Sequence, residues 1–458
     1  MGRKPHVMVV PFPAQGHVAP LMKLAYNLAG HGIKVTFVNT ESIHVKLTSA
    51  MPGKFKEQSP ICLVSIPEGL EPNHDGKDIF EAIENASIFM PGHLQTLIEN
   101  IKQLNDDDQV THVVADISVG WALETAEKMG IKRAAFVPYG AGNLALILHN
   151  PMLIEAGIID VHGTPLKDER ISLSEEIPAW NKNELLWSCP DNLEAQKFTF
   201  RHFVRKAVEI VKISDWLLVN SFYELEQPAC DLIPNSLPIG PLSASDHLGT
   251  YPGNFWPEDS TCLSWLDQQP PRSVIYAAFG SSVVCDQKQF NELAYGLENL
   301  GLPFLWVVRS NFTNGLQVEF PDGFIKRVEK YGKIVQWAPQ EKVLAHPSTA
   351  CFFSHCGWNS TMEGIIKGVP FLCWPYIVDQ LHNKSYICET WKVGIELIPD
   401  DNGIVTRHEI KTKLEKLLSD EDIEANSLKL KEMARKSTSG DGGSSFKNFI
   451  SFVEQIKQ

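Results

Sequence analysis

Short apolar runs recur along the chain with stretches of helical period between them, the alternation that a parallel α/β sheet requires. His6 to Pro11 reads as a short buried strand and Pro13 to His17 as the loop after it. From Pro20 onward Leu21, Leu24, Ala25 and Leu28 share one helical face, and Gly30 and Gly32 stop it. Ile33 to Val38 is the next strand, which makes a βαβ opening with a right-handed crossover. The same grammar continues with a strand at His112–Asp116, a helix at Trp121–Met129 and a strand at Ala134–Pro138. A helical pattern at Asn192–Ile213 and a strand at Trp216–Val219 follow. Residues 150 to 190 break the rhythm, because Pro151, Pro165, Pro178 and Pro190 interrupt any long element.

From Leu237 to Arg272 the pattern lapses into a proline- and glycine-rich stretch that reads as an interdomain linker. Beyond it strand–helix alternation starts again. Ser273–Phe279 is a strand, Gly280-Ser281-Ser282 a tight turn and Asp286–Leu300 a helix; Pro303–Val308 and Lys333–Trp337 are further strands. Asn383–Trp391 and Arg407–Leu418 are helical, Gly440–Ser445 is a joint, and Phe446, Phe449, Ile450, Val453 and Ile456 give a last helix an apolar face. The expected division is therefore a first domain over 1–242, a linker over 243–272, a second doubly wound domain over 273–439 and a terminal helix over 440–458.

Composition narrows the class. At 458 residues two domains of roughly 200 are the natural expectation. A net charge of -14 excludes a polyanion partner such as nucleic acid but not a nucleotide, whose few charges backbone N–H groups can meet locally. Nine scattered cysteines without a CxxC pair fit a reducing compartment. The apolar run Val7–Val10 is too short for a signal core, and no window approaches a membrane span, so a cytoplasmic protein is expected; it is taken to be a monomer.

The candidate chemistry is concentrated between Trp337 and Gln380. There Ala350–Phe353 is a strand, His355 to Thr361 a small polar loop, and Met362–Lys367 helical. A loop between a strand and a helix N-terminus is a seat for negative oxygens, since the first helical N–H groups lack acceptors and the dipole adds roughly 0.3–1 kcal/mol. Trp337 offers a flat face, Gln340 an amide, and Glu363 a carboxylate able to accept two sugar hydroxyls. Trp358, Asp379 and Gln380 offer a wall and hydrogen-bonding groups. In the first half, His17 and Asp116 fall at the carboxyl ends of two strands, so one parallel sheet would bring them to the same edge.

Over its full length and with the same spacing, Trp337–Gln380 resembles the signature of the plant family 1 UDP-dependent glycosyltransferases. The pattern P-x-x-x-G-H, met by Pro13, Gly16 and His17, and the strand-end Asp116 are similar to that family's amino-terminal features. The resemblance implies a GT-B fold: α/β, two doubly wound parallel-sheet (Rossmann-like) domains facing across a cleft. It implies that Trp337 stacks on uracil, that Gln340 and Glu363 hold the ribose, and that Ser281, Ser282, His355, Asn359 and Ser360 take the diphosphate, with Gly16, Ala338 and Gly357 beside the donor. Trp358, Asp379 and Gln380 would take the sugar, and a final glutamine with tryptophan at 358 is the pattern associated with UDP-glucose. His17 would be the general base and Asp116 its partner in an inverting O-glucosylation of a small lipophilic phenolic, flavonoid or terpenoid acceptor. Acceptor walls are expected near residues 80–95, 139–150 and 180–205, and the last helix would return to the first domain. UDP-glucose would be a co-substrate, with no permanently bound cofactor.

Two other readings compete. Gly140, Gly142 and Ala145 fit a GxGxxA dinucleotide fingerprint between a strand and a helix, which would suit a nicotinamide-dependent oxidoreductase. A non-catalytic nucleotide-sugar or hydrophobic-ligand binding module is the other, disfavoured by His17 and Asp116. Asp106-x-Asp108 and Asp420-x-Asp422 have the spacing of a metal-binding DxD but sit in polar runs, so no metal is expected. Serine and zinc hydrolases lack their GxSxG and HExxH motifs here.

Overall fold

The computed structural model describes residues 5–51, 59–69, 79–104, 108–242, 253–310, 312–313 and 318–458. The chain divides into two compact units. One comprises Met1–Asn183, Trp187–Trp256 and Ser437–Gln458; the other comprises Glu184–Leu186 and Pro257–Lys436. Of the linker expected over 243–272, residues 243–252 lie outside the described residues; in the remainder, Thr261–Leu266 is a helix of the second unit.

The first unit holds a seven-stranded parallel sheet of β1 (His6–Val10), β2 (Lys34–Thr40), β3 (Cys62–Ile66), β4 (His112–Asp116), β5 (Lys132–Val137), β6 (Trp216–Val219) and β7 (Ser236–Pro238). Its order is β3-β2-β1-β4-β5-β6-β7. β1 and β4 are buried at every position, as strands covered on both faces must be. Their register pairs Val10 with Ala115, so both chains leave the sheet at one level. Because connections run outward in both directions from β1 and β4, the crevice beside their carboxyl ends is the topological switch point, where open α/β sheets bind ligands.

The helix after β1 spans Gln15–Gly30 and thus begins a turn before Pro20, which lies inside it. Ala14 is extended, and its carbonyl takes the N–H groups of His17 and Val18 at 3.0 and 2.9 Å. Pro20 forgoes one bond near the amino end, where proline is least damaging. As a result Gly16 and His17 sit in the first helical turn and not in a loop.

The terminal helix, Ser444–Lys457, belongs to this first unit. Phe452, Val453 and Ile456 are buried in the same core as Val7, Leu21, Phe37 and Phe136. Trp216 packs edge-on to Phe452 and donates its indole N–H to Gln455 at 2.7 Å, while Asn448 donates to the Pro238 carbonyl at 2.9 Å. Three such side chains, at roughly 1.5–3 kcal/mol each for full burial, anchor a helix that would not hold alone.

The second unit holds a six-stranded parallel sheet of β8 (Val274–Ala278), β9 (Phe304–Val307), β10 (Gly332–Val335), β11 (Thr349–Ser354), β12 (Phe371–Cys373) and β13 (Gly394–Glu396). Its order is β10-β9-β8-β11-β12-β13, with the switch point between β8 and β11. Ala278 pairs with Ser354, which aligns the turn after β8 with the loop after β11. Phe279, Phe290, Phe304, Trp306, Phe312 and Phe353 form a mutually packed aromatic core beneath it. Among the described residues no helix is long and apolar enough to cross a membrane.

Candidate active site

His17 and Asp116 meet at the first switch point. His17 Nδ1 lies 2.8 Å from Asp116 Oδ2; the carboxylate is fully buried, whereas the imidazole is 27% exposed. The other carboxylate oxygen accepts the Ser118 N–H at 2.8 Å and caps the short turn after β4. The aspartate is therefore a turn cap and a histidine partner at once, held rigidly by the first role for the second. With Nδ1–H donated to the carboxylate, Nε2 is the basic nitrogen. Phe12 packs against the His17 ring at 4.9 Å and Phe203 against Phe12 at 5.9 Å, which brings one aromatic of the 200–205 segment beside the pair. Trp187 and Phe200, by contrast, are core residues that pack edge to face.

The second switch point gathers most of the residues expected to hold a donor. Helix Trp358–Lys367 starts directly after Gly357, which has no side chain to cap it, so the backbone N–H groups of Trp358, Asn359 and Ser360 open the helix. His355, 9% exposed, is gripped between two glycines. A Cβ at Gly280, whose φ is +67°, would come within 2.5 Å of His355 Nε2, and one at Gly357 would strike the same atom. Burial, with a contribution from the Arg309 charge, pulls the His355 imidazole down to about 4, so it is neutral at pH 7; the ring bonds the Ala278 backbone carbonyl, and its Nδ1 is buried without a partner among the described residues. Ser281 is half-buried and Ser282 exposed, their hydroxyls 3.5 Å apart.

A second cluster lies along the same helix. Gln340 donates to Ser360 Oγ at 2.9 Å and Glu363 Oε2 at 2.8 Å, and its Oε1 accepts from the buried Tyr276 hydroxyl at 3.1 Å. Trp337 is half-buried and Ala338 buried beside it. Gln380 Oε1 accepts the N–H groups of Tyr376 and Ile377 at 2.9 and 3.1 Å, so its amide nitrogen is the end that can donate to a ligand oxygen. Asp379 is joined to the phosphate-seat loop through Asn383, whose amide donates to Asp379 Oδ2 at 2.8 Å and to the Cys356 carbonyl at 2.9 Å. The Trp358 indole does not form an open wall: it is 3% exposed and faces Trp391 at 6.3 Å.

Motif and spacing assign no site role to Asn383, Tyr276 or Arg309. Each acts through a partner far away in the chain, and only the charge of Arg309 at the end of the apolar run Phe304–Val308 was a visible signal.

The GxGxxA stretch is not a phosphate site. It does precede a helix, Ala141–Glu155, but the N–H groups of Ala141 and Gly142 are each taken at 2.9 Å by the buried Glu226 carboxylate, which also accepts the Ser221 hydroxyl at 2.5 Å. A pyrophosphate there would have to displace the Glu226 side chain from both N–H groups. Of the DxD candidates, Asp420 caps the helix Glu421–Ser437 through the Ile423 N–H at 3.0 Å, and Asp106 lies outside the described residues.

Two doubly wound sheets, one carrying a His–Asp pair and the other an uncapped helix N-terminus among amide, carboxylate and hydroxyl groups, define a GT-B nucleotide-sugar transferase. Residues 193–437 match the family model described as UDP-glucoronosyl and UDP-glucosyl transferase, and residues 4–53 match that of the glycosyltransferase N-terminal domain. The chain is 42% identical to UDP-glycosyltransferase 83A1 of Arabidopsis thaliana over 100% of its own length and 97% of that protein's. It is 31% identical to linamarin synthase 1 of Manihot esculenta, over 99% and 97%. Among solved structures, Os79 of O. sativa in complex with UDP superposes with a TM-score of 0.81 at 28% identity, covering 98% of this chain and 100% of that one. A Polygonum tinctorium UDP-glucosyltransferase capable of glucosylating indoxyl also gives 0.81 at 28% identity, covering 100% of both. The chain belongs to the UDP-glycosyltransferase family and is an enzyme of the glycosyl-transferring class.

Proposed function

We propose that the protein is an inverting O-glucosyltransferase that moves glucose from UDP-glucose to a hydroxyl of a small lipophilic acceptor, phenolic or terpenoid in kind. The observation that carries the reading is the 2.8 Å contact between His17 Nδ1 and the buried Asp116 carboxylate at a sheet switch point. His17 Nε2 takes the proton of the acceptor hydroxyl, and Asp116 fixes the tautomer and stabilises the imidazolium that forms. The acceptor oxygen displaces UDP at the anomeric carbon in one step, so an α-linked donor yields a β-glucoside. Charge developing on the departing diphosphate is met by the N–H groups at the start of helix Trp358–Lys367, by neutral His355 and by the Ser281 and Ser282 hydroxyls. Uracil lies on Trp337 and Ala338, and the ribose on Gln340 and Glu363.

Glucose as the donor sugar is supported by Gln380, whose amide nitrogen is turned to donate, beside Asp379. The half-buried imidazole with aromatic Phe12 and Phe203 near it supports an apolar acceptor. The structures of relatives point the same way: Phytolacca americana UGT2 is known with pterostilbene and Os79 with a trichothecene. The test is incubation with UDP-glucose, UDP-galactose or UDP-glucuronate and a panel of phenolic and terpenoid alcohols, with products separated by mass and cleaved by a β-glucosidase. A β-glucoside formed fastest from UDP-glucose is expected; a galactoside, glucuronide or α-product in its place overturns the reading. Turnover is expected to survive EDTA, and its loss with restoration by magnesium would contradict the metal-free mechanism.

A further inference from the structure

We propose that Arg309 is a further donor-binding residue, whose buried guanidinium supplies the positive charge that the diphosphate-binding loops themselves lack. This rests on the UDP-sugar reading above and extends it.

β9, β8 and β11 are successive neighbours in the second sheet, so the residues beyond their carboxyl ends stand in a row. Arg309 lies just past Val307, the Gly280–Ser282 turn just past Ala278, and His355 directly after Ser354. Parallel strands are about 4.8 Å apart, which is close enough for a charge at one end of this row to be felt at the other. The Arg309 charge contributes, after burial, to the lowered basicity of His355. Arg309 is 4% exposed, and its Nη2 donates to the Val283 carbonyl, bracing the Gly280–Ser282 turn from behind. Its Cζ lies 5.9 Å from the Phe312 ring centre. Burial pulls its pKa down to about 10, so it remains charged at neutral pH.

The ligand chemistry calls for such a charge. Neither Phe279–Val283 nor Ser354–Ser360 contains a lysine or arginine, and His355 is neutral. Those loops offer only dipoles to a group carrying at least two negative charges, with the Glu363 carboxylate on the same helix. A guanidinium behind the loops meets that charge while the N–H and hydroxyl donors provide direct contact. A brace alone would explain the Val283 bond equally well, but a brace serves uridine as much as UDP. A charge distinguishes them.

The test measures UDP and uridine affinity by titration calorimetry on the full-length protein. Arg309→Gln keeps a donor for the Val283 carbonyl and removes the charge; Arg309→Lys keeps the charge and gives up the fork. In Arg309→Gln, UDP affinity is expected to fall about 10–100-fold with uridine affinity within about twofold, and Arg309→Lys to keep most of the preference for UDP. UDP and uridine weakening together in Arg309→Gln, or UDP unchanged there, overturns the proposal. Should Arg309→Gln not fold, Arg309→Lys decides, since loss of the UDP preference with the charge retained also overturns it. Unsubstituted protein that binds UDP no better than uridine would instead break the UDP-sugar reading itself.

Discussion

Each sheet places a histidine at its switch point, and the two histidines are prepared for opposite tasks. His17 has a fully buried carboxylate on one nitrogen and keeps 27% of its side chain in contact with solvent. His355 is sealed between Gly280 and Gly357, buried, and lies two strands from the Arg309 cation. The first environment pairs the ring with a carboxylate and leaves it partly open to solvent; the second buries it and keeps it neutral. The topology supplies the position in both units, and the neighbour decides the chemistry.

The contrast breaks most sharply at His17. His17→Ala is expected to lower turnover by roughly 10²–10⁴ while leaving UDP affinity unchanged, since a base is lost but no donor contact; steady-state rates and a UDP titration on the same sample check both halves. The reverse property belongs to His355 and, in the first unit, to His112, both pulled down to about 4 chiefly by burial. Unfolded chain protonates them near 6.5, before folded chain does. Stability is therefore full above about pH 6.5 and declines as pH falls towards 4, by roughly 2–3 kcal/mol per histidine at the limit. Thermal melts between pH 7.5 and 4.5 should show the decline, reduced in His355→Asn.

Gly357→Ala sharpens the comparison on the donor side. Its methyl strikes His355 Nε2, so about 1–3 kcal/mol of stability and roughly tenfold in UDP affinity should be lost, with the His17–Asp116 pair untouched; a variant that binds UDP normally would show that the clamp does not matter. Glu226→Gln reaches stability alone. Turning one acceptor oxygen into a donor leaves the Ala141 or Gly142 N–H without its partner and should cost about 1–3 kcal/mol in a denaturation series. It should create no affinity for a nicotinamide dinucleotide.

What could be read in advance followed the strength of local pattern. β1, β4, β8 and β11 are continuous apolar runs bounded by turn residues, and all four strands stand within a residue or two of where periodicity put them. Family and GT-B fold were legible because Trp337–Gln380 carries so many residue types at fixed spacing. The edges of the sheets were not. β3 is half-exposed, β7 contains Pro238 and looked like linker, and β12 and β13 have three residues each. Helix Ile79–Leu104 was hidden by Pro91 and Gly92 in its middle, and the amino end of Gln15–Gly30 by Pro20. Long-range polar partners leave no local trace: Glu226 reaches back 85 positions to Ala141, and neither residue announces the other.

The placement of Phe452, Val453 and Ile456 in the core of the first unit has a bearing on how the protein is made. Domains emerging from the ribosome ordinarily fold in order of synthesis, yet here the unit begun first waits for residues 444–457, made after the whole second unit, to complete its interior. A nonsense mutation at Ser444 would therefore be no trimming of a dispensable tail, since it would strip an apolar patch bare on the oldest part of the chain and hand a nascent product to quality control.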